Sequence, residues 1–104
     1  MDKNEFRNLA QFLKEKYDAK RVFLFGSYAY GKSTPSSDLD ICIITGHQNK
    51  RKIELLREIR KDIFQHLQMP MDILVYEESE FRERAFFKST LEHKIEKSGL
   101  LISE

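Results

Sequence analysis

The chain has almost no cysteine: with Cys42 alone, no internal disulfide framework can form, and a reducing compartment is its natural setting. Cys42 sits in an expected acidic strand, but no local Cys-His arrangement suggests a thiol nucleophile, so it reads as a small packing residue. His47, His66 and His93 lie far apart without ligand spacing, which excludes a zinc pattern. No apolar stretch approaches the length of a membrane span or of a signal peptide's core, and the expected location is the cytoplasm, away from any membrane. Charge of one sign is also missing. Lys plus Arg number 18 against 17 Asp plus Glu, and extended phosphate backbones usually attract a clearly basic surface, so nucleic acid is unsupported as a partner. Internal repeats and low-complexity tracts are absent as well. A length of 104 residues suits one domain over residues 1–104 with a single modest core and no room for a second catalytic module.

Against that plain background one stretch is dense with chemistry. Gly26 to Asp40 reads GSYAYGKSTPSSDLD: a Gly-Ser turn after an apolar strand, followed by two aspartates at i and i+2. Glycine lets backbone N–H groups come close to a polyphosphate, and Ser27 adds a hydroxyl. From Asp38 to Ile44 the sequence alternates as a half-buried strand, with Leu39, Ile41 and Ile43 directed to the core and Asp38 and Asp40 projecting together from the other face. Two carboxylates so placed repel each other unless a cation, hydrogen-bond donors or open water relieves them, and magnesium meets that need. A third acid, Asp72, leads the β-rich run Met71 to Tyr76. If the two strands are neighbours, Asp72 completes a triad around two cations set roughly 3.5–4 Å apart.

The remaining segments alternate between helix and strand. A helix is expected over Lys3 to Tyr17, where Phe6, Leu9, Phe12 or Leu13, and Tyr17 recur at helical spacing, then a strand from Arg21 to Gly26 buried on both faces. A short helical turn starts at Ser27, and its N-terminal dipole favours a phosphate. The polar loop Lys32 to Ser37 crosses the mouth of the site, with Lys32 as a phosphate contact. Asn49 to Leu67 reads as the longest helix, its apolar side made of Ile53, Leu56, Ile59 or Arg60, Ile63 and Leu67, and Pro70 ends it. Ser79 is expected to cap a further helix carrying Phe81, Ala85, Phe86, Phe87 and Leu91, more of these being core than interface. Gly99 stops the last helix, and Leu100 to Ile102 forms a terminal strand or a docking tail.

Gly-Ser, a ten-residue gap from Tyr28 to Ser37, Asp-x-Asp and a later strand led by Asp72 together resemble the minimal nucleotidyltransferases, small members of the polymerase-β-like nucleotidyltransferase superfamily. The likeness runs from about Val22 to Tyr76. It implies an α+β fold in which a small mixed sheet packs against helices. It also implies catalytic and metal-binding roles for Asp38, Asp40 and Asp72, and nucleotide-binding roles for Gly26, Ser27 and Lys32. One position departs from the pattern: many relatives carry arginine before the second glycine of the loop, where this chain has Tyr30 before Gly31.

The activity implied by the resemblance is transfer of AMP from ATP to a hydroxyl with two Mg2+ ions. Relatives often pair with a helical HEPN-domain protein as the antitoxin of a toxin–antitoxin system, and a tyrosine on such a partner is the natural acceptor. A homo-oligomer is also compatible with the sequence. Two alternatives belong beside this expectation: a non-catalytic, nucleotide-binding antitoxin that acts by direct contact, and transfer to a small-molecule hydroxyl.

Overall fold

The computed structural model describes residues 3–29, 31 and 38–103. Tyr30 and the loop that carries Lys32 lie outside the described residues.

Helix α1, Lys3–Tyr17, forms where the apolar spacing predicts it, and it buries Leu9, Ala10, Leu13 and Tyr17. It ends at Asp18, whose φ of 56° breaks the helical path; aspartate is among the few residues with a β-carbon that visit this region readily. Strand β1, Ala19–Phe25, follows at once and buries Val22, Phe23 and Leu24 in succession, so both its faces are covered. Strand β2, Leu39–Thr45, pairs antiparallel with β1. The chain then crosses over through helix α2, Lys52–His66, and returns as strand β3, Met71–Glu77, parallel to β2. Helices α3, Glu78–Ala85, and α4, Leu91–Ser98, precede the two-residue strand β4, Leu100–Leu101, which pairs antiparallel with β1. The sheet order is β3-β2-β1-β4, a mixed sheet in an α+β fold, as expected.

Helices cover both faces of this sheet, and each face has its own apolar cluster. On one side Leu9, Leu13, Leu55, Ile59 and Ile63 of α1 and α2 pack on Val22, Leu24, Leu39, Ile41 and Ile43. On the other, Phe81, Ala85 and Ile95 of α3 and α4 pack on Phe23, Cys42, Ile44 and Tyr76. The half-buried reading of β2 is therefore corrected: beyond Asp40 both faces are sealed, because Cys42 and Ile44 meet the second helical layer. The apolar run Ile41-Cys42-Ile43-Ile44 carried that signal, since a strand with one wet face would place polar residues at every second position. No helix among the described residues is long and apolar enough to cross a membrane.

Other expectations need smaller corrections. Helix α2 begins three residues later than expected, and its buried stripe is Leu55, Ile59 and Ile63, while Ile53 is exposed. Asp62 on its opposite flank accepts hydrogen bonds from Lys16 Nζ at 2.7 Å and from the Tyr17 hydroxyl, tying α2 to the end of α1. Ser79 lies inside the first turn of α3 rather than at its cap, because β3 runs straight into the helix through Glu77. The helical segment breaks over residues 86–90, and α4 restarts under a Thr90 cap whose hydroxyl accepts the His93 N–H at 3.1 Å. Of the aromatic group, Phe81 is fully buried, stacked near Phe23 and edge-on to Tyr76, while Phe86 and Phe87 are exposed. The Leu100–Ile102 tail resolves as a strand that continues into side-chain pairing: Ile102 N–H donates to Val22 C=O at 2.9 Å, and Val22 N–H donates to the buried Ser103 Oγ at 2.8 Å.

Candidate active site

Three strand ends meet where the chemistry-bearing residues lie. β1 delivers the chain there and turns because Gly26 takes φ +69°, a left-handed conformation that costs a residue with a β-carbon roughly 1–2 kcal/mol. Gly26–Tyr28 then closes a single 3-10 turn, with Ala29 N–H donating to Gly26 C=O at 3.1 Å. The helical turn expected at Ser27 is thus only three residues long. It adds no macrodipole of consequence, and half-buried Ser27 has its hydroxyl and backbone N–H to offer.

Pairing then brings the acids in. Asp40 lies opposite Phe25, the last residue of β1, and on its other side is in register with Asp72 of β3. The adjacency of the two acidic strands, an assumption in the sequence, is a fact of the sheet. Leu39 N–H donates to Pro70 C=O at 3.0 Å, which fixes the starts of β2 and β3 level with each other. Strand periodicity sets the direction of the side chains: Asp40 shares its face with Cys42 and Ile44, and therefore projects on the α3–α4 side of the sheet. Phe25 and Leu74, partly buried against that cluster, flank the carboxylates from the strands on either side of β2.

The Asp40 side chain lies against the Gly26 backbone. A β-carbon on Gly26 would fall inside van der Waals distance of Asp40 Oδ2 and 3.2 Å from its Cγ. Glycine is thus required twice at this position, by its φ and by the carboxylate that occupies the space a side chain would fill.

Electrostatics mark the same residue. The Asp40 carboxyl is raised above its ordinary value, first by partial burial, then by the charge of Asp72 and hydrogen bonding to it, and last by the charge of Asp38. Asp72 and Asp38 are exposed, and Asp38 stands one residue before β2. The structure thus brings Asp40 and Asp72 together, with Asp38 near enough to be felt. Among the described residues no group of three histidine, cysteine or carboxylate side chains is placed to hold a metal ion by itself. The donor set nevertheless fits magnesium, a hard cation that is usually held by one or two carboxylates, waters and substrate phosphates rather than by an all-protein cage. Lys32, the expected phosphate contact, lies outside the described residues.

Cys42 is fully buried two residues along the same face, and burial, with the charge of Glu92, pushes its thiol up to about 12. It packs and does not react, as the sequence suggested. The histidines likewise take structural roles: His66 Nδ1 lies 3.0 Å from Asp62 C=O, and His93 Nδ1 lies 2.8 Å from Ala85 C=O. Sequence reasoning did not reach Phe25 and Leu74 as the apolar flanks of the acids, since only the pairing register identifies them.

Comparison with known proteins agrees with this geometry. A family model described as a nucleotidyltransferase domain matches residues 6–98. A protein of Methanocaldococcus jannaschii, provisionally named a protein adenylyltransferase, is 36% identical over 63 residues; the match covers 57% of this chain and 63% of that protein. The chain therefore spans less than two thirds of that relative. Among solved structures, a toxin–antitoxin crystal structure with AMP-PNP superposes with a TM-score of 0.65 at 18% identity, over 98% of this chain and 73% of that one. A mutant of the MntA–HpeT toxin–antitoxin pair gives 0.62 at 15% identity, over 98% and 72%. At such identities these likenesses speak for the fold.

Proposed function

Because the chain belongs to the nucleotidyltransferase domain family, we propose that it transfers AMP from ATP to a protein hydroxyl, the acceptor being a tyrosine on a HEPN-type partner, and so acts as the antitoxin of a toxin–antitoxin pair. The observation that carries this reading is the register of Asp40 with Asp72 beside the Gly26 turn, which sets two acids next to a glycine-lined backbone at one end of the sheet.

In this reading Asp38, Asp40 and Asp72 hold Mg2+, and Gly26, Ser27 and Lys32 hold the phosphates. Bound magnesium supplies charge neutralisation for the triphosphate and lowers the pKa of the attacking hydroxyl. The chain's own part is positional and electrostatic. The Gly26 turn lets backbone approach the phosphates without steric interference. Ser27 donates its hydroxyl to a phosphate oxygen. Asp72, exposed at the strand start, accepts the proton of the acceptor hydroxyl as its oxygen bonds to the α-phosphorus and the bond to the β-phosphate oxygen breaks, releasing pyrophosphate. Burial raises Asp40 first and the charges of Asp72 and Asp38 add to it, and a divalent cation relieves that added repulsion.

A protein acceptor is supported by the name of the archaeal relative and by the toxin–antitoxin neighbours. The nearly balanced charge of 18 basic against 17 acidic residues also argues against an extended nucleic-acid acceptor. The test is incubation of the purified chain with α-labelled ATP and Mg2+, with and without the HEPN-type protein encoded beside it. Label is expected on the partner, lost with EDTA and with Asp38→Asn/Asp40→Asn. Neutralisation of the partner by that double variant with no label transferred would replace the enzyme reading with an antitoxin that acts by contact.

A further inference from the structure

The sheet is unfinished at one edge. β4 is only two residues long, no strand among the described residues lies beyond it, and Leu100 and Leu101 are 48% and 47% exposed. Its register fixes which backbone groups face outward. Ile102 N–H is bonded inward to Val22 C=O, so the neighbouring Leu101, opposite Phe23, directs its own N–H and C=O away from β1 to the open edge. Beside this edge runs a groove of about 570 Å³ between β4 and α1, with Phe6, Ala10, Leu100 and Ile102 as apolar lining and Arg7 and Lys14 on the α1 wall. Among the described residues Arg7 has no carboxylate partner.

We propose that this groove docks an extended, acidic segment of a partner protein, which adds to the sheet beside β4 and presents a carboxylate to Arg7. An open strand edge offers main-chain pairing, apolar lining offers area, and the basic wall selects the sign of the incoming side chains. A second copy of this chain fits less well. Two β4 strands paired about a two-fold axis would bring the Arg7 and Lys14 walls of both copies to the same seam, where like charges repel. The groove lies on the α1 side of the sheet and the carboxylates on the α3–α4 side, so this docking and the proposed transfer stand or fall separately.

The test uses the full chain and two labelled nine-residue peptides, one alternating glutamate with valine and the other lysine with valine, followed by fluorescence anisotropy. The glutamate peptide is expected to bind at least tenfold tighter, with affinity falling as salt rises. Arg7→Glu, an exposed change, should cost at least fivefold. Leu101→Pro should cost at least tenfold, since it removes the outward N–H while leaving the inward Ile102 N–H bond, and proline is tolerated on an edge strand whose amide faces solvent. Equal binding of the two peptides, or indifference to Arg7→Glu, overturns the proposal, and this arm stands even if Leu101→Pro fails to fold. Light scattering that shows a dimer which Leu101→Pro converts to monomer also overturns it, in favour of a second copy.

Discussion

Replacing Gly26 by alanine tests the central contact of the site, because two separable costs fall on that one atom. The first is conformational: alanine at φ +69° costs roughly 1–2 kcal/mol whatever surrounds it. The second is steric. The new β-carbon would sit 3.2 Å from Asp40 Cγ and overlap Oδ2, so the carboxylate must swing away from its place beside Asp72, at about 0.5–1.5 kcal/mol for leaving its rotamer. Gly26→Ala should therefore destabilise by about 1.5–3.5 kcal/mol in urea denaturation. Asp40→Ala should cost little, because it also removes a carboxylate that burial and its neighbours disfavour in the charged form. The double variant should lose only the conformational part, leaving a coupling of about 1 kcal/mol. Activity should respond more steeply than stability in Gly26→Ala, by about 10²-fold, since displacement by an ångström is enough for that. Additivity of the two single changes to within about 0.3 kcal/mol would refute the contact.

Asp40 titration gives a pH signature. Its folded-state pKa is raised, so the native state binds more protons than the unfolded chain between the ordinary carboxylate value and the raised one. Stability should fall as pH rises through that window. Asp40→Asn should flatten this slope in denaturation curves, and Mg2+ at a pH above that window should raise the melting temperature of the wild type more than that of the variant. Gly99→Ala would bring a β-carbon within 2.5 Å of Ile95 O and 3.2 Å of Leu24 O, both backbone atoms. It should cost about 1–3 kcal/mol and speed hydrogen exchange at the Val22 amide, which Ser103 protects. Phe81→Ala should cost about 3–5 kcal/mol, as it empties the fully buried position against Phe23 and Tyr76. Phe86→Ala, at a residue 79% exposed, should stay within about 0.5 kcal/mol. Tyr76→Phe leaves the Glu92 carboxylate, now held at 2.7 Å, buried without that donor, and should cost about 1–3 kcal/mol on thermal melting.

Local pattern made much of this legible. The periodicity of α1 gave its limits, because a helix facing a core repeats its apolar residues every three or four positions and the stripe from Phe6 to Tyr17 does so without interruption. Asp40 and Asp72 were recognisable as strand-leading acids, since each opens a short apolar run rich in β-branched residues. Other features were visible only in part. Ser79 has the chemistry of a cap, but capping depends on where the backbone turns, and β3 passes directly into α3. Thr90 had the same chemistry and does cap α4, where the chain breaks before it.

The sequence by itself determined which residues are candidates for the chemistry and which elements hold them, because side-chain type and spacing are local properties. Tertiary structure alone decided that Asp40 lies level with Asp72, that its carboxylate fills the space beside Gly26, that Cys42 and Ile44 are sealed under α3 and α4, and that the sheet is left open at Leu101. Each of these depends on strand order and register, which arise from contacts between segments far apart in the chain.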